Sequence, residues 1–181
     1  MLRMIVLYTA LLAGANGLAA QELDITAARE AGMVRIAATG PEQVPDTAFL
    51  ARDGVEHRLS DYAGQAVLLN FWAVWCVPCK EEMPALDRLQ AELGGEDFQV
   101  VTIATGRNSE AGIDRFFEEE GIENLPYFTD ARMALARSMG VVGLPVTVLI
   151  DREGREVARV IGEEEWDSPA AMDLIRQLKE L

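Results

Sequence analysis

Two cysteines, Cys76 and Cys79, are the residues whose type and spacing point most directly to chemistry. They are the only cysteines of the 181-residue chain, and Val77 and Pro78 separate them. A thiol pair at this spacing can close a disulfide and reopen it, because a thiolate attacks a disulfide sulfur and a second thiol then displaces the first. The pair therefore predicts thiol–disulfide exchange.

The segments on either side of the pair predict where it lies in the fold. Residues 66–73 form a short run that is apolar except at Asn70, which is typical of a buried strand. In residues 81–93 the apolar positions recur every three or four residues, as they do on one face of a helix. The pair is thus predicted at a strand-to-helix junction, where free N–H groups and the helix dipole stabilise a thiolate.

The two thiols have different predicted roles. Cys76 stands at the helix N-terminus and is the predicted nucleophile. Cys79 lies one helical turn further on, and its sulfur can resolve a mixed disulfide formed at Cys76. Pro78 falls in the first turn, where its missing N–H costs little and its fixed φ helps to start the helix.

Two other uses of the cysteines agree less well with the sequence. A structural zinc site usually needs four ligands, and the chain offers the two cysteines and one histidine, His57. A purely structural disulfide across so short a loop would remove little entropy from the unfolded chain. Redox chemistry is therefore favoured over both.

A family resemblance adds to these local signals. Residues 71–80, Phe-Trp-Ala-Val-Trp-Cys-Val-Pro-Cys-Lys, resemble the active site of thioredoxin, and the flanking Asn70 and Glu81–Pro84 resemble its extracytoplasmic branch, which includes TlpA, ResA and CcmG. The resemblance runs from about Asp46 to the C-terminus. It implies an α/β thioredoxin fold with a central mixed β-sheet of about four or five strands, helices on both faces and an N-terminal β-hairpin. It also implies a central insert of two helices and a short strand between residues 105 and 146.

The resemblance also implies further site residues. Trp75 belongs to the surface expected to face a partner, and Pro145 matches a proline that is cis in thioredoxin-like proteins and leaves the neighbouring backbone free to pair with a substrate. Asn70 stands where thioredoxin has a buried aspartate that helps to accept a proton. Glu82 matches a glutamate near the cysteines of ResA-like relatives. It is interpreted either as a proton shuttle or as an ordinary acid near a helix N-terminus.

The N-terminal residues divide the chain. Arg3 precedes an apolar stretch over residues 4–15 and small residues up to Ala20, the pattern of a secretory signal peptide over residues 1–20. The apolar stretch is shorter than the roughly 20 residues of a spanning helix, so cleavage is expected, with membrane tethering as the alternative. Residues 21–45 are predicted to be an extended lead-in and residues 46–181 the thioredoxin-like domain. The expected location is the periplasm.

The charge balance narrows the range of partners. The chain has 16 Lys and Arg against 30 Asp and Glu, a net charge of −14. An acidic surface disfavours nucleic acid and anionic lipid as partners. We expect a monomer that acts on disulfide-bearing proteins and needs no cofactor, and the resemblance implies a membrane electron donor similar to DsbD or CcdA.

The predicted function is that of an exported thiol–disulfide oxidoreductase that reduces disulfides in partner proteins. The resemblance implies partners of cytochrome c or oxidase assembly. One alternative is a disulfide oxidase or isomerase, against which Val77-Pro78 lacks the histidine of strongly oxidising pairs. The other is a non-catalytic copper or thiol carrier, for which the cysteine spacing is unusual. The sequence leaves both alternatives open.

Overall fold

A computed structural model describes residues 22–181, and the signal peptide predicted for residues 1–20 lies outside the described residues. The strands are β1 (Ile36–Gln43), β2 (Phe49–Ala51), β3 (Glu56–His57), β4 (Ala66–Trp72), β5 (Phe98–Thr105), β6 (Phe128–Asp130), β7 (Val146–Ile150) and β8 (Arg155–Ile161). The helices are α1 (Ile25–Glu30), α2 (Val77–Leu93), α3 (Glu110–Glu120), α4 (Ala134–Ser138) and α5 (Pro169–Lys179), with a 3-10 turn at Leu59–Tyr62.

All eight strands join one mixed sheet in the order β1-β8-β7-β4-β5-β6-β2-β3. The β4–β5 and β5–β6 pairs are parallel, whereas β7 runs antiparallel to β4 and β8. Strand β4 lies between β5 and β7, and all seven of its residues are buried. The cysteine pair therefore follows one of the most deeply buried strands of the sheet.

The side chains of β4 alternate between two separate apolar cores. Leu68 and Trp72 face the core that contains the buried residues of α1, α2, α3 and α5. Val67, Leu69 and Phe71 face the core that contains α4 and the 3-10 turn. Helices thus cover both faces of the sheet, and the predicted α/β thioredoxin architecture is confirmed.

The edges of the sheet differ from the prediction. The sheet has eight strands, because β1 extends one edge and the predicted β2–β3 hairpin extends the other. The segment predicted as an extended lead-in holds α1 and β1, which pairs with β8 from Ile36↔Val160 to Gln43↔Arg155. The Gly40-Pro41 break in the pattern coincides with a register shift between Ala38 and Glu42, which an edge strand tolerates.

The central insert has the predicted content: α3, β6 and α4 lie between β5 and β7. Ser109 caps α3 by accepting a hydrogen bond from the Gly112 N–H, and Gly121 ends that helix with a φ of 65°. Asp130 accepts hydrogen bonds from the N–H groups of Ala134 and Ala136, so it caps α4 from the end of β6. The insert extends the sheet and leaves β4 in its interior.

The strand register brings two distant segments to one end of the sheet. Val146, the first residue of β7, pairs with Phe71 near the end of β4. Pro145 therefore lies at the end of the sheet from which the chain enters the cysteine pair. No helix among residues 22–181 is both long and apolar enough to span a bilayer.

Candidate active site

Cys76 and Cys79 form a disulfide at the start of α2, with an S–S distance of 1.97 Å and a Cα–Cα distance of 5.3 Å. Cys76 is the N-cap residue, and its Sγ accepts a hydrogen bond from the Cys79 N–H at 3.3 Å. Cys76 is 6% exposed and Cys79 is fully buried. A reacting sulfur can therefore reach Cys76 but not Cys79, and a thiolate at Cys76 would meet the positive end of the helix.

Apolar side chains stand exposed at this end of the fold. Trp75 is 63% exposed and Val77 is 61% exposed, although residues of this size are usually buried. Val142, in the loop before Pro145, is fully exposed. Pro78 is half-buried in the first turn of α2, as predicted from the sequence. The accessible sulfur thus has exposed apolar neighbours, which suits contact with another protein.

Pro145 directly precedes β7. The Leu144–Pro145 peptide bond is cis, and the Pro145 carbonyl accepts a hydrogen bond from the Gly162 N–H at 3.0 Å. Pro145 itself is buried, whereas Leu144 is half-buried. The loop after β8 is therefore hydrogen-bonded to the residue before β7, next to the end of β4 that leads into the cysteine pair.

Glu82 is a buried acid held by a network of donors, although it lies on the same helix as the exposed Glu81. It is 3% exposed. Its Oε1 accepts a hydrogen bond from Asn70 Nδ2 at 2.7 Å, and its Oε2 accepts from Trp166 Nε1 at 3.3 Å and from the Glu164 N–H at 3.2 Å. The carboxyl is therefore part of the protein interior and differs from an ordinary surface acid at a helix N-terminus.

Burial raises the pKa of Glu82 from 4.5 to about 7. The hydrogen bonds from Asn70, Glu164 and Trp166 oppose the increase because they stabilise the carboxylate, while the charge of Glu163 adds to it. A carboxyl with a pKa near neutral can both accept and release a proton under ordinary conditions. Its position three residues after Cys79 places it on the same helical face as the buried thiol.

Glu82 also lines a groove of about 460 Å³ that connects it with four other acids. The groove is lined by Arg35 and by Glu81, Glu82, Glu163, Glu164 and Glu165. Arg35 donates hydrogen bonds to the carbonyl oxygen and the carboxylate of Glu163. The groove gives the buried carboxyl a polar route for proton exchange, and its negative charge disfavours further negative charge nearby.

Sequence reasoning misses several members of the hydrogen-bond network that contains Glu82. Asn70 stands out by its difference from thioredoxin, but nothing in the sequence singles out Trp166 or Thr147. Asn70 Nδ2 donates to Thr147 Oγ1 at 2.9 Å as well as to Glu82, while the buried Asn70 Oδ1 has no partner among the described residues. The Asn70–Thr147 contact joins residues 77 positions apart, and the Glu82–Trp166 contact joins residues 84 positions apart. No local sequence pattern predicts contacts at such separations.

His57 lies away from the cysteine pair. It is on β3, the edge strand beyond β2, where its ring lies 5.2 Å from that of Phe128 and its Nδ1 lies 3.4 Å from Asp61 Oδ2. Within residues 22–181, no group of three or more His, Cys, Asp or Glu side chains is arranged to hold a metal ion. The described site thus consists of the cysteine pair, the buried carboxyl and the backbone around Pro145.

The sequence matches a known protein family and resembles proteins with known names. Residues 40–175 match the Redoxin family. The thiol-disulfide oxidoreductase ResA of Geobacillus thermodenitrificans is 34% identical over 111 residues, which cover 61% of this chain and 63% of the relative. The chain therefore spans a little under two thirds of the length of that relative.

Solved structures resemble the fold over a larger share of the chain. A Chlorobium tepidum protein assigned as the thiol:disulfide interchange protein DsbE superposes with a TM-score of 0.69 at 29% identity, covering 79% of this chain and 99% of that one. The exposed lipoprotein thioredoxin of Streptococcus pneumoniae superposes with a TM-score of 0.61 at 35% identity, covering 76% of this chain and all of that one. The Cys76–Cys79 disulfide thus lies on a thioredoxin fold, and these relatives are named as a thiol–disulfide oxidoreductase, a thiol:disulfide interchange protein and a thioredoxin.

Proposed function

The chain belongs to the Redoxin family, and from this premise we propose that it is an exported thiol–disulfide oxidoreductase that reduces disulfides in partner proteins. One observation carries the proposal: a disulfide at a helix N-terminus lies one helical turn from a buried carboxyl whose pKa is raised to about 7. The first feature supplies the exchanging sulfurs, and the second supplies a proton acceptor.

The exchange begins with the reduced protein. The Cys76 thiolate attacks one sulfur of the partner disulfide, so that a mixed disulfide forms and the partner's other sulfur leaves as a thiolate. Cys79 then loses its proton and attacks the Cys76 sulfur, which expels the second partner sulfur as a thiolate and leaves the Cys76–Cys79 disulfide. Glu82, on the face of Cys79, accepts the proton and passes it to the acidic groove. The two partner thiolates take up protons from the solvent.

Electrostatics support the reducing direction. A cysteine pair is a strong oxidant in its disulfide form when its reduced, thiolate-bearing form is stabilised. Here the helix N-terminus favours a thiolate, but Glu82, once it is ionised above about pH 7, and the acids of the groove oppose additional negative charge. Because the thiolate form of the pair is destabilised, the Cys76–Cys79 disulfide is favoured as the product. The pair therefore tends to donate electrons to its partners.

The exposed apolar side chains and the backbone before Pro145 support a protein substrate. Among the described residues, the N–H and C=O of Leu144 make no backbone hydrogen bond. An extended segment of a partner can pair with this backbone while its side chains contact Trp75 and Val142. We further propose that partners belong to cytochrome c or oxidase assembly and that a DsbD-like or CcdA-like membrane protein restores the dithiol.

Export to the periplasm rests on the residue pattern over 1–20 and on the cysteine count. A single close pair, used for exchange, suits an oxidising compartment in which stray cysteines would be oxidised. N-terminal sequencing of the protein recovered from its producing cell tests this part. A start at or near residue 21 is expected, and recovery of the whole chain from the cytoplasm would contradict export.

Partner trapping tests the exchange. Cys79→Ser leaves Cys76 able to attack but removes the resolving thiol, so mixed disulfides with partner proteins should accumulate. Cys76→Ser is the matched control and should trap no partner, because Cys79 is fully buried. Equal trapping by both variants would contradict the assigned roles, and no trapping by Cys79→Ser would contradict the proposed reduction of partner proteins.

A further inference from the structure

The linker that carries Cys76 is tied to the neighbouring loop, and we propose that Asn108 is the positioning residue for that linker. Residues 73–76 connect β4 to α2 and belong to neither element. The Val74 N–H donates a hydrogen bond to Asn108 Oδ1 at 2.9 Å, and Asn108 Nδ2 donates one to the Thr105 carbonyl at 3.0 Å. One side chain thereby joins the linker to the end of β5.

A second hydrogen bond to the linker involves Arg107, the residue before Asn108 in the loop after β5. Trp75 Nε1 donates a hydrogen bond to the Arg107 carbonyl at 3.1 Å, so the exposed indole has a fixed edge. The loop itself is held at its start, because the Gly106 N–H donates to the Asp130 carbonyl at 3.0 Å. Gly106 has a φ of 75°, in the left-handed region that favours glycine. The loop that bonds to the linker is therefore itself held in place by hydrogen bonds to the ends of β5 and β6.

The chemistry of the amide explains why asparagine serves here. Its oxygen accepts from Val74 while its nitrogen donates to Thr105, and both bonds need one group that is acceptor and donor at once. Aspartate lacks the donor, and alanine lacks both. Helix capping does not account for Asn108, because Ser109 is the residue that caps α3. From sequence alone, Asn108 and Ser109 are equal candidates for that cap.

The tie matters most when the disulfide is open. In the oxidised protein, the bond between Cys76 and Cys79 itself restrains the linker. In the dithiol, the linker would depend on the bonds that the oxidised structure shows, which are the Val74–Asn108 bond, the Trp75–Arg107 bond and the bond from the Cys76 N–H to the Ala73 carbonyl at 3.0 Å. Holding the two thiols in position raises their effective concentration for ring closure. This role rests on the proposed exchange at Cys76 and holds for either direction of electron flow.

Asn108→Ala should therefore favour the dithiol. Loss of the tie frees the reduced linker more than the oxidised one, and the net value of one hydrogen bond predicts that the equilibrium constant for disulfide closure falls about fivefold. This equals about 20 mV for a two-electron couple. The measurement is equilibration of wild type and variant with glutathione, with the two redox forms separated after acid quenching.

Asn124→Ala is the matched control. Asn124 Nδ2 donates to Asp87 Oδ2 at 2.9 Å, a bond that ties the loop after α3 to α2 and does not involve residues 73–76. Its loss should lower stability without changing the redox equilibrium. Amide hydrogen exchange adds a test that needs no variant: the Val74 N–H of the reduced wild-type protein should be protected.

The outcomes separate the two proposals. A closure constant for Asn108→Ala equal to that of wild type, or an unprotected Val74 amide, would overturn the positioning role while leaving the proposed function intact. A wild-type pair that does not exchange with glutathione at all would overturn the proposed function and this role with it.

Discussion

Replacing Glu82 with glutamine should make the folded protein more stable at alkaline pH and less effective in exchange. The side chain is 3% exposed, and burial raises its pKa from 4.5 to about 7. The substitution keeps the size of the group and removes its charge. Asn70 can accommodate the new amide by turning its own, since Asn70 Oδ1 has no partner among the described residues.

The expected size follows from proton linkage. The folded protein keeps the Glu82 proton up to about pH 7, whereas the unfolded chain loses it above about pH 4.5. The folded state therefore binds more protons between these values, and the free energy of unfolding falls as the pH rises through that window. One pKa unit is worth about 1.4 kcal/mol, so the gap predicts a loss of about 3 kcal/mol that is complete above about pH 7.

Urea unfolding of the oxidised protein at pH 5 and pH 8 measures this loss. The stability of Glu82→Gln relative to wild type should rise by about 2.5 kcal/mol between the two pH values, because a small part of the loss has already occurred at pH 5. Glu81→Gln is the matched control, because it removes the same charge from an exposed neighbour and should show little change. A Glu82→Gln difference that does not vary with pH would refute the raised pKa and, with it, the assignment of Glu82 as a proton acceptor at neutral pH.

Three further predictions concern the rate and the scaffold. The wild-type rate of disulfide reduction should rise as the pH passes about 7, where Glu82 becomes a free base, and Glu82→Gln should lose this step; an unchanged rate–pH profile would remove Glu82 from the mechanism. Trp166→Phe deletes a hydrogen bond that lowers the pKa of Glu82, so the midpoint of that step should move to higher pH; a move to lower pH would contradict the network. Asp87→Ala leaves the N–H groups of Glu123 and Asn124 without their acceptor, and should cost about 2–3 kcal/mol in urea unfolding with no change in exchange rate.

The elements around the cysteines could be predicted because their signals are local. The β-branched run from Phe98 to Thr105 forms β5 with those bounds, and Ser168 before Pro169 caps α5. The hairpin turn at Asp53-Gly54 and the order of the central insert also follow from patterns within a few residues.

Features that depend on distant partners could not be predicted in the same way. Strand β1 is only weakly patterned, because it is an edge strand whose residues are mostly exposed and whose partner β8 lies more than 100 residues away. The burial of Glu82 depends on Trp166 and on the backbone of Glu164, which approach from the loop after β8. Asn108 has the sequence signature of a helix cap, and only the fold brings it to Val74.

The reduction potential of the Cys76–Cys79 couple tests the central claim most directly. Equilibration of the protein without residues 1–20 against dithiothreitol or glutathione, with Cys79→Ser as the non-cycling control, gives this value. If the protein reduces its partners, the potential of this couple should be near or below the roughly −270 mV of thioredoxin, because the buried carboxyl and the acidic groove disfavour the thiolate. A potential near the roughly −120 mV of strong disulfide oxidants would contradict the reducing direction.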